Sequence, residues 1–363
     1  MKNLSSKGSR IKDIKKPSSR EIDKTMLTID NSNYLSYKIF PKMRLRRLRK
    51  NLAIRNLFQE VRLNSKELVL PLFIQEGIQE NLSIEAMPGV YRYSINTVLR
   101  EIEECLKIGI ESVVLFGLPS HKDSVGKSSY SDKGIVQNTI KAIRNSFGDK
   151  IVIITDVCLC QYTSHGHCGI ITGNQINNDK TISTLANTAL SHAEAGADMV
   201  APSAMMDGQV RKIRDVLDDN GFTDTLIMGY SAKQASSFFS PFRDAAHSSP
   251  EFGNRQTYQM NYANPMEAKR EIELDIEEGA DVLMIKPALS NLDLIYEAKK
   301  SFLHPIAAYS VSGEYSMIKA ASLNNWLDED AAITESLSSI KRAGANIIIT
   351  YYAKRMAEIL SSN

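Results

Sequence analysis

Three cysteines, Cys158, Cys160 and Cys168, fall close together in a chain that has only one other, Cys105. They sit in the stretch DVCLCQYTSHGHCG, residues 156–169. Alternate side chains of an extended segment face the same way, so Cys158 and Cys160 point to one side. The glycine-containing loop SHGHCG can then return Cys168 against them. Three soft thiolates suit zinc, which takes four tetrahedral ligands. Two arrangements stay open. A fourth ligand from His165 or His167 makes the site closed and structural; without one, a position is left for water or substrate and the site is catalytic. Asp156 precedes Cys158 by two residues, shares its face, and can orient a ligand or move a proton.

Two lysines stand where apolar residues belong. Lys286 is embedded in VLMIKPAL, and Lys233 follows the apolar run LIMGYSAKQAS. An ammonium in a buried strand is costly unless it is paired or neutralised. Burial, or a second cation beside it, lowers its pKa and frees the amine as a nucleophile. Neighbouring strands lie about 5 Å apart, so the two amines can meet and depress each other. The competing explanation, a snorkelling or salt-bridged lysine, applies more readily to Lys233 than to Lys286, which Met284, Ile285 and Pro287 surround. Two such lysines point to imine chemistry on a carbonyl substrate.

Between the lysines runs a long segment, residues 236–265, with Arg243 and Arg255 among Phe238, Phe239, Phe242 and Phe252. A loop of this length inside a compact domain is often a lid. Its arginines can hold a small carboxylate in bidentate fashion, although either alone is better explained by surface ion pairs. Ser312, in SVSGEY, and Tyr351, in TYYA, offer uncharged donors for a second carboxylate.

Positioning these groups requires a repeated strand and helix unit. Apolar, β-branched runs recur at 68–74, 112–118, 151–157, 198–204, 225–231, 282–288, 305–311 and 346–352. Helical periodicity follows at 96–109, 134–147, 181–196, 208–221, 265–279 and 291–302. Continuous apolar runs mean strands covered on both faces, the parallel-sheet pattern. Gly109, Gly196, Gly221, Gly279 and Gly344 suit helix C-termini, and Gly-Ala-Asp leads into a strand twice, at 196–198 and 279–281. The alternation fits an α/β fold, either a (β/α)8 TIM barrel or a doubly wound sheet. The unusual polar residues fall at the carboxyl ends of the third, fifth, sixth, seventh and eighth runs. Those ends converge on one mouth only in a barrel, so a TIM barrel with an N-terminal arm is expected.

Charge marks off the arm. Residues 1–50 carry 15 Lys and Arg against 4 Asp and Glu, whereas the whole chain is nearly balanced at +2. A basic arm, residues 1–40, and a catalytic barrel, residues 41–363, are expected, with 41–60 as a basic helical lead-in. Such an arm can bind nucleic acid or membrane, but the excess stops where the folded pattern begins, which favours packing on the acidic surface of another subunit. Neither nucleic acid nor membrane is an expected partner. Four cysteines are too few for a disulfide framework, and no apolar stretch reads as a secretory signal or a membrane span; a cytoplasmic enzyme is expected.

The motifs DVCLCQYTSHGHCG, ADMVAPSAMMDGQV, MGYSAKQAS, FFSPFRDAAHSSPEFGNRQTYQM, EGADVLMIKPAL and AAYSVSGEY together resemble those of the porphobilinogen synthase (5-aminolevulinate dehydratase) family, in its zinc-dependent, bacterial-type form, from about Pro41 to the C-terminus. The resemblance implies condensation of two molecules of 5-aminolevulinate to porphobilinogen with loss of two waters, in tetrapyrrole (heme) biosynthesis. It implies Schiff bases at Lys286 for the propionate-side substrate and at Lys233 for the acetate-side one. It implies catalytic zinc on Cys158, Cys160 and Cys168, and a carboxylate clamp of Arg243 and Arg255 with Gln259 and Asp156 nearby. Ser312 and Tyr351 would hold the first substrate's carboxylate. A homo-octamer embraced by its arms is implied, together with a separate allosteric magnesium in many bacterial members, for which Glu271 is the matching acidic position. Relatives with aspartates in place of the cysteines use magnesium in the active site; this chain keeps all three cysteines. Thr257 stands where some animal members carry another cysteine, which argues against a further zinc in that loop. The alternative is another imine-forming barrel lyase of the class I aldolase type, with structural zinc. Deleting residues 1–40 should shrink the assembly without unfolding the barrel, as measured by light scattering and circular dichroism; an unchanged oligomer would refute the embracing arm.

Overall fold

The apolar runs form eight parallel strands: β1 Leu68–Gln75, β2 Ser112–Leu118, β3 Val152–Val157, β4 Met199–Pro202, β5 Leu226–Lys233, β6 Val282–Lys286, β7 Ile306–Ser310 and β8 Ile347–Thr350. Each pairs with the next, and β8 pairs back onto β1 through Leu68 with Ile348 and Val69 with Ile349. That last pairing closes a barrel and excludes the open sheet. The computed structural model describes residues 43–362; the expected arm, residues 1–40, lies outside them.

The described residues fall into two units. Before Val61, the 3₁₀ turn Leu45–Arg49 and the helix Leu52–Leu57 follow one another. The side chain of Asn51 caps that helix by accepting from the Ile54 N–H at 2.9 Å. From Val61 onward comes the barrel. Helices α1 Ile95–Lys107, α2 Ile135–Phe147, α3 Asn178–Ala195, α4 Gln209–Asp219, α5 Pro265–Glu278 and α6 Leu292–Ser301 follow the first six strands in turn. Two helices, α7 Ser312–Leu323 and α8 Glu329–Ala343, join β7 to β8, and α9 Ala353–Ser361 follows β8. The strands bury nearly every side chain, as both-sided coverage requires.

Several strands stop earlier than their apolar runs suggest, because the chain turns over the barrel rim once its last ladder bond is made. Ser312 therefore opens α7 instead of ending a strand, and Tyr351 and Tyr352 lie in the turn between β8 and α9. In the other direction, β5 runs on to include Lys233.

The repeated Gly-Ala-Asp has a structural cause. Gly196 and Gly279 take φ of +107° and +100°, the left-handed geometry that ends α3 and α5. Two residues on, the Oδ2 of Asp198 accepts from the Ile153 N–H and that of Asp281 from the Ile227 N–H, both at 2.7 Å. Asn346, in Gly-Ala-Asn, does the same to the Ile306 N–H at 3.1 Å. Each polar side chain thus satisfies the first part of the strand before it, where a buried N–H would otherwise lack a partner.

One irregularity decides the site. Val282 and Leu283 of β6 face Met228 and Gly229 of β5, but Ile285 and Lys286 face Ala232 and Lys233. Between those pairs β5 carries one extra residue, a β-bulge. Tyr230 and Lys233 are three positions apart, which on a regular strand puts them on opposite faces. The extra residue reverses that parity, and Lys233 Nζ stands 5.5 Å from the centre of the Tyr230 ring. Elsewhere the packing leaves no slack. A Cβ on Gly117 of β2 would stand 2.5 Å from Val136 Cγ2 and 2.6 Å from the Tyr162 hydroxyl. Gly117→Ala should lower the midpoint of chemical unfolding, at a cost of about 1–3 kcal/mol for overpacking.

Candidate active site

Lys233 ends β5, Lys286 ends β6, and the two are partners in the strand register. Only 5% and 6% of their surfaces are exposed. Lys233 Nζ donates to the carbonyl of Ser203, just past β4. Lys286 Nζ is enclosed by rings, 4.0 Å from the centre of Tyr309, 5.2 Å from Tyr230 and Phe239 and 5.3 Å from Phe242. Burial, reinforced by the charge of Lys233, brings the Lys286 amine down to about 7, against the opposing pull of Asp156, Cys160 and Cys158. An amine that is neutral in about half of the molecules near pH 7 is a competent nucleophile. Burial raises the Asp156 carboxyl, opposed by bonds from Ser203 and Gln161 and by the two lysines. Gln161 Nε2 donates to Asp156 Oδ2 at 3.0 Å.

Lys233, Lys286, Asp156, Cys160 and Arg255 line one cavity with Phe116, Gln161, Ser203, Phe239 and Phe242. Its volume is about 20 Å³, room for one water. A second chamber of about 590 Å³ adjoins it at Arg255 and holds Arg243 and Gln259. The Nε atoms of Arg243 and Arg255 and both amide atoms of Gln259 are buried without a hydrogen-bond partner in the protein. Unmade bonds of this kind are costly, and a carboxylate with a water would satisfy them.

The thiols converge as their spacing suggests. Cys158 and Cys160 follow the end of β3 in a turn, not on the strand itself, and their sulfurs are 3.4 Å apart. All three sulfurs lie within 4.8 Å of one another and are buried. Burial raises the Cys158 thiol, while hydrogen bonds from Cys158 and Cys160 hold Cys168 well below its usual range. Such a donor set fits a soft cation. Among the described residues no other group of three acidic, histidine or cysteine side chains gathers this way. Neither histidine joins it. His165 Nδ1 accepts from the His167 N–H at 3.1 Å and its Nε2 is 3.3 Å from the Ser124 carbonyl. His167 Nδ1 is 3.1 Å from the Tyr258 hydroxyl, and its Nε2 is 2.9 Å from the Phe252 carbonyl.

Those last contacts belong to residues 236–265, which cover the cavity. The segment is not all loop: it contains the 3₁₀ turn Ser237–Phe239 and the helix Ser240–Ala245. It is tied to the cysteine loop through the Glu251 N–H on the His165 carbonyl (3.1 Å) and Arg255 Nη2 on the Gly166 carbonyl (3.0 Å). On its other flank Arg92 Nε and Nη2 donate to the carbonyls of Ala245 and Asp244 at 2.8 and 3.0 Å.

The remaining expected residues lie apart from the lysine cavity. The Ser312 hydroxyl accepts from the Phe242 N–H at 3.0 Å and donates to the Phe238 carbonyl at 3.2 Å, so it is engaged by the covering segment. The Tyr351 hydroxyl is 3.2 Å from that of Tyr309, whose ring in turn faces Lys286. Glu271 lies on α5 and lines a different cavity of about 780 Å³ with Glu267 and Asp275. Burial and the charges of Asp207, Glu267 and Glu278 raise its carboxyl.

A model of the delta-aminolevulinic acid dehydratase family matches residues 42–359. The chain belongs to that family. The delta-aminolevulinic acid dehydratase of Archaeoglobus fulgidus is 54% identical over 321 residues, 88% of this chain and 99% of that protein. The enzyme of Bacillus subtilis is 48% identical over 318 residues, 88% and 98% of the two chains. The crystal structure of delta-aminolevulinic acid dehydratase (porphobilinogen synthase) from Toxoplasma gondii ME49 in complex with porphobilinogen superposes with a TM-score of 0.86 at 42% identity, over 88% of this chain and 92% of that one. This dehydratase is therefore an enzyme with the TIM-barrel fold of a metal-dependent family.

Reading the chain alone missed the ring cage of Tyr230 and Tyr309, and also Gln161, Ser203, Arg92 and Tyr258. Ser203 carried a usable signal, a hydroxyl at the carboxyl end of a strand. Arg92 carried none, because its partners lie some 150 residues away. Borohydride reduction of a ketone onto Lys286 should increase as pH rises through about 7, where its amine loses the proton; mass spectrometry of the Lys286 peptide across pH 5–9 checks this.

Proposed function

We propose that this dehydratase condenses two molecules of 5-aminolevulinate into porphobilinogen, with Lys286 and Lys233 each forming an imine to one of them. The observation that carries the reading is the pair of buried strand-end amines sharing one cavity. Each amine attacks a keto carbon and the oxygen leaves as water, which accounts for both waters lost. The carbon beside the Lys233 imine loses a proton and adds to the Lys286 imine carbon, from which Lys286 then leaves as a neighbouring proton is lost. The amino group of the first substrate adds to the Lys233 imine carbon, Lys233 leaves as the free amine, and loss of a ring proton completes the pyrrole. Lys286 serves the propionate-side substrate and Lys233 the acetate-side one. Asp156, held by Gln161 beside both amines, moves protons. Holding both keto acids against one another removes much of the entropic barrier.

Arg243, Arg255 and Gln259, with their unpartnered buried atoms, bind the second substrate's carboxylate. Ser312 and Tyr351 bind the first one's, which requires Ser312 to exchange its bonds to Phe238 and Phe242. A cavity of about 20 Å³ does not admit a keto acid, so residues 236–265 act as a lid that opens for entry.

Cys158, Cys160 and Cys168 hold zinc, whose Lewis acidity beside the second substrate polarises an oxygen or amine there when the ion is bound. The engagement of all four ring nitrogens of His165 and His167 elsewhere supports an open fourth position over a closed structural site. Buried free thiols suit a reducing, cytoplasmic setting, and no helix among the described residues is long and apolar enough to cross a membrane. The octamer belongs to this reading, as does an allosteric magnesium at Glu271, which shares a cavity with Glu267 and Asp275 but among the described residues joins no convergent group of three ligands, and would draw on water or another subunit.

Incubation with 5-aminolevulinate should yield a pyrrole, lose that activity on chelation and regain it with zinc. Lys286→Met should abolish turnover, on the order of a thousandfold or more, in a barrel with unchanged circular dichroism. A zinc-loaded protein that makes no pyrrole would sink the proposal, and activity that survives chelation would favour the class I aldolase type with structural zinc.

A further inference from the structure

Glu314 is 1% exposed, and it makes no ion pair among the described residues. Burial pushes its carboxyl up to about 7, although N–H groups of Leu289, Val311 and Ala288 and the Ser310 side chain all favour the ionised form. Oε2 accepts from the Val311 N–H at 2.7 Å, which is ordinary capping of the first turn of α7. Oε1 does something else. It accepts from the Leu289 N–H at 2.8 Å, in the loop that follows β6. One carboxylate thus joins two neighbouring strand-to-helix loops. Leu289 is three residues beyond Lys286, and Val311 directly precedes Ser312.

The same turn of α7 bears on the lid. A Cβ on Gly313 would stand 2.6 Å from the Phe238 backbone, and Ser312 bonds both Phe238 and Phe242. A cap needs only one oxygen, and a desolvated carboxylate without an ion-pair partner is a poor device for stability alone. Local expense of this kind is usually found where function demands it.

We infer that Glu314 is a positioning residue that fixes the separation between the Lys286 amine and the Ser312 hydroxyl, so that both meet one substrate molecule, the amine at its ketone and the hydroxyl at its carboxylate. The inference rests on the proposed roles of Lys286 and Ser312. It makes the spacing between ketone and carboxylate the feature that the first subsite measures.

The test uses the full chain and 4-oxopentanoate, a keto acid without the amino group, trapped on Lys286 by borohydride. Glu314→Gln keeps the shape but turns one acceptor into a donor that faces an N–H. The 4-oxopentanoate concentration for half-maximal trapping should rise about tenfold, the usual effect of losing one charge-assisted bond, and KM for 5-aminolevulinate should rise with kcat little changed. Ser312→Ala should raise the same concentration. The double variant should be no worse than the poorer single one, since both act through one contact. An unchanged half-saturation in Glu314→Gln, or effects that multiply in the double variant, would overturn the inference. If Glu314→Gln does not fold, Glu314→Asp, which keeps the charge but is too short to span both loops, takes its place in the same cycle. Absence of any wild-type adduct at Lys286 would instead overturn the underlying reading, and is seen without any variant.

Discussion

Two ammonium-bearing side chains removed from water at the same point are mutually repulsive, and each is costly to bury. The barrel supports this pair at the ends of β5 and β6 by surrounding it with compensations. The Ser203 carbonyl accepts a hydrogen bond from one amine, aromatic faces surround the other, and Asp156 stands beside both. The compensation is partial, which is why the Lys286 amine falls to about 7. Reactivity here is unpaid desolvation.

That state survives only while water is kept out, and the covering segment does this from two sides. It is sewn to the cysteine loop through His165, Gly166 and His167, and to the opposite rim through Arg92. Most of these bonds use backbone carbonyls of one partner, so they depend on the shape of both loops and not on one side chain. The contacts of His167 and Tyr258 sit directly beside Cys168. Order in the sulfur cluster and closure over the lysines are therefore features of one connected piece of chain, although they serve chemically different groups.

The two carboxylate sites proposed for the substrates differ in what the protein leaves free. On the lid side, buried arginine and glutamine atoms remain unpartnered; on the α7 side, the Ser312 hydroxyl is already occupied by the lid backbone. Entry of the proposed first substrate then competes with lid contacts, whereas entry of the second adds to them. Glu314 stands behind the first of these sites and not the second, consistent with one subsite that needs a fixed frame and one that closes around its ligand.

Much of this was legible in the chain. A lysine in an apolar run, three clustered cysteines and arginines among phenylalanines each violate a local expectation, and such violations stand out without coordinates. The eight apolar runs also mark a parallel α/β fold, and the polar residues at five of their carboxyl ends point to a barrel over a doubly wound sheet, because such ends converge only in a closed barrel. Tertiary structure alone decided how these parts face each other. Whether Lys233 points into the barrel depends on one extra residue in β5 opposite β6, and a bulge leaves no mark in the order of residues, since it exists only relative to a partner strand. The histidines of the SHGHCG loop are equally plausible ligands by type, yet in the fold their ring nitrogens bond elsewhere, one of them to a residue 91 positions away. Side-chain chemistry is a local property that sequence carries; parity and partnership are relations between distant segments, and only folding creates them.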